Sequence, residues 1–116
     1  MIIKIDYPIS LQEMYDVLTG AFDDDSIEYW AETRDYVRSM DGNILEWKIL
    51  EYDERDGEEH KYTLTINTIE KGIRRILNPE FNVDPSIKQW ILTKEMDSSC
   101  YDCIIQAGLF GELVYG

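Results

Sequence analysis

Two alternating runs, separated by a segment of almost pure charge, constrain this chain more than any other feature. Leu45, Trp47 and Ile49 alternate with Glu46 and Lys48, and Tyr62, Leu64 and Ile66 alternate with Thr63 and Thr65. A period of two places each apolar set on one face of an extended strand. The intervening Asp53–Glu59 holds Gly57 and six charged residues, the composition of a solvated hairpin turn. The pattern predicts an antiparallel hairpin, and the rest of the chain must supply what covers its apolar face.

Helical signals flank the hairpin. Ser10 and Glu13 form an S-x-x-E capping box, followed by Leu11, Met14, Tyr15, Leu18 and Phe22 at helical spacing. Asp25 and Glu28 form a second, D-x-x-E, and predict a helix from Ser26 to about Arg38; a strand through Tyr29–Val37 is the alternative. Asp41-Gly42-Asn43 marks a turn. After the hairpin, Asn67 and Glu70 suggest a third box, opening a helix with Ile69, Ile73, Ile76 and Leu77 on one face. Asn78-Pro79 ends it. Asp84 or Ser86 can cap a helix through Ile87, Trp90 and Ile91, and Ser98 or Ser99 one through Cys103, Ile104 and Ala107. Leu109 to Gly116 continue that helix or turn into a short strand, Leu113–Tyr115. Ile2, Ile3 and Ile5 suggest an N-terminal strand ending at Tyr7-Pro8. The 116 residues, with no repeat or Pro/Gly-rich linker, predict one α+β domain: a small antiparallel sheet around the central hairpin, packed against four to five helices.

Charge is the next constraint. The chain carries 24 acidic and 11 basic side chains, a formal net charge of −13. Residues 1–59 hold 17 acids against 5 bases, and residues 60–116 hold 7 against 6. Such a field repels nucleic acid and anionic membranes and attracts basic surfaces, so neither direct nucleic-acid nor membrane binding is expected. No stretch reaches the roughly 18 apolar residues of a membrane span. The N-terminus lacks the basic and apolar regions of a signal peptide, which points to a cytoplasmic setting.

Few residues offer chemistry. His60 is the single histidine, which excludes two-histidine phosphoesterase mechanisms and H-E-x-x-H metalloproteases. No Gly-rich phosphate loop and no G-x-S-x-G occurs, so an enzyme is not expected. Cys100 and Cys103 form a CxxC that shares a helix face with Ala107; buried core thiols are the expected role, with redox or metal ligation as alternatives. The run from Asp53 fails the Ca²⁺-loop pattern because Glu58 stands where glycine is required. A loosely held divalent ion at Asp23–Asp25 is the remaining metal reading; no metal and no cofactor are expected.

Two acidic runs are the candidate binding residues. Asp23, Asp24, Asp25 and Glu28 form one; Glu51, Asp53, Glu54, Asp56, Glu58 and Glu59 form the other. Tyr29, Trp30 and Tyr52 lie beside them in sequence and are natural interface anchors. If both runs converge on one face, they could imitate the charge of a nucleic-acid backbone, with Glu51 and Asp53 sharing one side of a strand. A different candidate is the basic trio Lys71, Arg74 and Arg75, which could bind the phosphate of a small nucleotide. Leu109, Phe110, Leu113, Val114 and Tyr115 make an apolar terminus that must dock into the core or onto a partner, a second copy of the chain included.

Leu18-Thr19-Gly20-Ala21-Phe22, then Ile27-Glu28-Tyr29-Trp30, and the terminal Ile104-Ile105-Gln106-Ala107-Gly108-Leu109-Phe110-Gly111-Glu112-Leu113-Val114-Tyr115-Gly116 resemble small proteins of tailed bacteriophages and prophages. Members of that family end in an ALFGE-V-YG tail and carry a Tyr-Trp pair after the first helix. This chain departs from the pattern with Asp23-Asp24-Asp25 in place of Gly-Gly, and with Gly108 in place of Ala. The resemblance implies a phage origin and a host cytoplasm, but carries over no site residue. Small acidic phage proteins often inhibit host defences, anti-CRISPR proteins among them. The expected function is therefore a non-enzymatic inhibitor that occludes the basic, nucleic-acid-binding surface of a host defence complex. A sponge for a nucleotide signal, or a regulatory or assembly role in the phage, is the alternative.

Overall fold

A computed structural model describes residues 7–116, so the expected strand at Ile2, Ile3 and Ile5 lies outside the described residues. The first helix, α1 (Leu11–Asp23), starts where the sequence predicts: Ser10 accepts a hydrogen bond from the Glu13 amide at 3.1 Å. Met14, Val17, Leu18 and Ala21 form its buried stripe.

The second capping signature does not open a helix. Asp25 takes a left-handed backbone conformation, φ 53°. Successive turns then fold the chain back, with the amides of Trp30 and Ala31 both donating to the Ile27 carbonyl. The chain emerges as a strand, β1 (Ala31–Arg38), so the strand alternative is the correct one. Thr33, Tyr36 and Val37 suit a pleated surface, and the segment has no apolar stripe that a helix could bury.

The predicted hairpin is present. Strand β2 (Ile44–Asp53) pairs antiparallel with β3 (Glu58–Leu64) in the register Trp47 to Leu64, Ile49 to Tyr62 and Glu51 to His60. Strand β1 adds to the other side of β2, giving the order β1-β2-β3. The β1–β2 register shifts between Val37 and Arg38, where Leu45 is skipped, and one extra residue, Arg34, forms a bulge in β1: Thr33 faces Ile49 while Asp35 already faces Lys48. The bulge keeps both ends of β1 in step with the core. Ala31 and Thr33 precede it on the inner face, and Tyr36 and Arg38 follow it there. Trp47 Nε1 donates to Thr33 Oγ1 at 2.9 Å, and Phe22 packs against Tyr36 and Trp47.

Helix α2 (Ile66–Ile76) begins two residues earlier than expected, because Thr65 and Thr68 form the capping box instead of Asn67 and Glu70. It buries Ile69, Gly72, Ile73 and Ile76. Helix α3 (Pro85–Thr93) is capped by Asp84, as predicted, with Pro85 in its first turn. Helix α4 (Ser98–Phe110) is capped by Asp97 and closed by Gly111 at φ 75°. Residues 113–116 follow as a tail that is neither helix nor strand.

Four helices thus accompany a three-stranded antiparallel sheet, an α+β arrangement in which α1 packs on β2 and α2 on β3, while α4 packs on α2 and α3 on α4. The overall extents of 42 × 39 × 19 Å match the thickness of one sheet and one helical layer. Among the described residues nothing covers the opposite sheet face, where Glu32, Glu46, Lys48, Tyr52, Glu59 and Lys61 meet solvent. No described helix is long and apolar enough to cross a membrane.

Candidate binding corner

The inner face of β2 does not stay apolar to its end. Trp47 and Ile49 are followed, two residues apart, by Glu51 and Asp53, and both carboxylates are buried. Glu51 is 0% exposed and is held by two phenols: Tyr62 donates to its Oε1 at 3.2 Å, and Tyr115 donates to its Oε2. Asp53 is gripped by Arg55, whose Nε reaches Oδ1 at 2.8 Å and whose Nη2 reaches Oδ2 at 2.7 Å. A buried carboxylate requires such partners, since an unpaired charge in the interior is costly. Among the described residues, no buried side-chain polar atom lacks one.

Tyr115 reaches Glu51 because the C-terminal tail is fastened down. Gln106, on α4 and 1% exposed, accepts from the amides of Val114 and Tyr115 at 2.9 and 2.8 Å and donates to the Tyr115 carbonyl at 3.2 Å. The Tyr115 ring stacks on Trp30, with centroids 5.2 Å apart and planes 5° from parallel; Phe110 meets Trp30 edge-on at 5.6 Å. Asp102, one turn before Gln106, accepts from Trp30 Nε1 at 2.8 Å, from Gln106 Nε2 at 2.9 Å, and from the Tyr29 hydroxyl. Tyr29-Trp30 and the terminal run therefore fold against each other. The apolar terminus docks on its own chain.

On the outside of this network lies a depression of about 360 Å³. Trp30, Leu50 and Tyr115 line it, with Tyr29 and Tyr52 beside them, each 58% exposed. Four glutamates from four segments converge on it: Glu28 before β1, Glu32 on β1, Glu54 in the hairpin turn and Glu59 on β3. Glu32 is paired with Arg34 at 3.4 Å; among the described residues Glu28, Glu54 and Glu59 have no ion pair. A neighbouring hollow of about 340 Å³ shares Glu28, Ala31 and Glu32 and brings in Asp25.

The structure thus gathers Asp25, Glu28, Tyr29, Trp30, Tyr52, Glu54 and Glu59 and separates the rest of the expected set. Glu51 and Asp53 do share one side of β2, but that side faces inward, which removes both from any exposed array. Asp23 points to the other end of β1 and pairs with Arg38 at 2.9 Å. Asp24 is the C-cap position of α1 and lines neither hollow. Asp56 faces His60 at 2.9 Å, and Glu58 lies outside the depression. Sequence reasoning missed Glu32, Tyr62, Asp102, Gln106 and the role of Tyr115. For Glu51 a signal was present, because it continues the odd-numbered series of Trp47 and Ile49.

Two of the basic trio serve the fold itself. Arg74 donates to the Tyr7 carbonyl at 2.8 Å. Arg75 donates to the carbonyls of Ala107 and Gly108 at 2.6 and 3.1 Å, neutralising the C-terminal end of α4. Among the described residues only Lys71 of the three has no such commitment.

Asp53, Asp56 and His60 are the described group with metal-ligand spacing, their ligand atoms lying within 4.8 Å of one another. The protein's own cations already serve this cluster. Arg55 holds the Asp53 carboxyl down at about 2, and the Asp56 carboxylate pulls the His60 imidazole up from its ordinary value. Burial raises both thiols, Cys103 to about 11, so neither favours the thiolate that redox or metal chemistry uses. Burial, followed by the neighbouring Glu51, pushes Tyr62 up to about 12, and burial raises Tyr29 and Tyr115 too. At neutral pH these phenols are fixed hydrogen-bond donors. Comparison of the chain with protein-family models, with curated proteins and with solved structures finds no match.

Proposed function

We propose that this chain is a binding protein without enzymatic activity, whose acidic and aromatic corner docks on a basic surface of another macromolecule. One observation carries the reading: Glu28, Glu54 and Glu59, none ion-paired among the described residues, gather beside the exposed Tyr29 and Tyr52 around a single depression. Unpaired carboxylates on a chain of net charge −13 draw a basic partner in and speed encounter. Exposed tyrosines on a firm support supply contact area at low entropic cost. The buried network behind them holds that support in place.

The phage resemblance suggests the partner class: a host protein with a nucleic-acid-binding surface, such as a defence complex, met in the host cytoplasm. Occlusion of that surface by the acidic corner would inhibit it. The test is capture from host lysate combined with association kinetics. A basic partner should be retained by the wild-type chain and released by salt, and the double reversal Glu54→Lys, Glu59→Lys should slow its association about tenfold or more. A partner bound equally fast by the reversed variant and unaffected by salt would refute the proposal.

A further inference from the structure

We propose that the corner depression is a slot for one arginine side chain projecting from the partner. This inference rests on the corner being the binding face, and it narrows what that face reads. The carboxylates of Glu28, Glu32, Glu54 and Glu59 come from four segments around a hollow, rather than standing on a ridge. An imitation of a nucleic-acid backbone requires the opposite shape, since duplex charge lies on the outside of a convex rod. A concave ring of acids accepts a protruding cation. At about 360 Å³ the hollow lies near the lower end of ligand-site volumes, about 300–1,000 Å³; that suits one long side chain and no helix or duplex.

The lining selects among cations. Trp30 and Leu50, 6% and 7% exposed, present little more than an apolar floor, and Tyr52 and Tyr29 stand open beside it. An ammonium group is strongly hydrated and gains little from such a surface. A guanidinium is more weakly hydrated, lies flat on aromatic faces, and still directs five N–H donors at the surrounding carboxylates. Leu50 also accounts for the position of the hollow. It is buried although it points to the uncovered side of the sheet, between Glu32 on β1 and Lys61 on β3. Tyr52 follows it on the same side, where β1 has ended and no longer pairs with β2.

The test uses the ¹⁵N-labelled full chain and three capped pentapeptides, Gly-Ser-X-Ser-Gly, with arginine, lysine or citrulline at X. The arginine peptide should shift the amides of Leu50, Tyr52, Glu54 and Glu59 and bind at least fivefold tighter than the lysine peptide; the citrulline peptide should not bind. Tyr52→Ala, at an exposed position whose side chain makes no hydrogen bond among the described residues, should abolish the preference and leave weak, salt-sensitive binding of both cations. Glu54→Gln with Glu59→Gln should weaken both. Equal binding of arginine and lysine, or a preference that survives Tyr52→Ala, overturns the slot. So does silence with every pentapeptide while octalysine still perturbs the corner at low salt, a result that leaves the binding-face reading intact. Silence with octalysine as well overturns both.

Discussion

At the residue scale, the most consequential arrangement is a carboxylate with no exposure held by two phenols. Tyr115→Phe removes one donor to Glu51 and leaves the stacking on Trp30 nearly unchanged. A buried acceptor that loses its partner costs about 1–3 kcal/mol, so chemical denaturation should show a loss of that size. Asp53 gives a pH signature. Arg55 lowers its carboxyl to about 2 in the folded chain, against about 4 in an unfolded one. A depressed value contributes stability that is complete above about 5 and is lost as pH falls through 2. Asp53→Asn should therefore lower the urea midpoint at pH 6, and the gap to wild type should narrow steadily as pH falls from about 5 toward 2.

At the scale of elements, α2 and α4 touch backbone to backbone. A Cβ on Gly72 would lie 2.0 Å from the Ile104 carbonyl oxygen, and one on Gly108 would lie 2.2 Å from that of Thr68. Gly108, like Gly72, is thus what this close approach requires. Gly72→Ala would gain about 1 kcal/mol of helix propensity, but the clash is with main chain and forces the helices apart. Overpacking of this kind costs about 1–3 kcal/mol or more, so the variant should unfold at lower urea than wild type. The same scale shows what could be read in advance. The hairpin was legible because burial on one face alone writes a period of two into the sequence. Strand β1 was not, because an edge strand exposed from Glu32 to Arg38 writes no period at all, and Asp25 with Glu28 imitates a helix start. Only part of the corner was legible. Tyr29 meets Asp102 and Tyr115 meets Glu51 across more than 60 residues of chain, and local patterns do not record such pairings.

At the scale of the whole molecule, self-repulsion is the dominant electrostatic effect. The described ion pairs are mostly exposed, and exposed pairs contribute about 0–1 kcal/mol each. A net charge of −13 on a body 42 Å across outweighs them. Raising ionic strength from about 0.01 to 0.15 M shortens the screening distance from about 30 to 8 Å. The melting temperature should consequently rise by a few degrees over that range, measured by Trp fluorescence; a fall would mean that the ion pairs govern. The same addition of salt should weaken partner binding, so that stability and affinity move in opposite directions.

The extra residue in β1 has a consequence for how these molecules behave in a crowd. A straight, regular outer strand is an invitation for an identical chain to zip alongside it. By inserting Arg34, the chain twists its border out of line and sets a guanidinium at the kink, so a second molecule finds no continuous ladder to extend. At that border, at least, the sheet offers an identical chain no straight strand to copy.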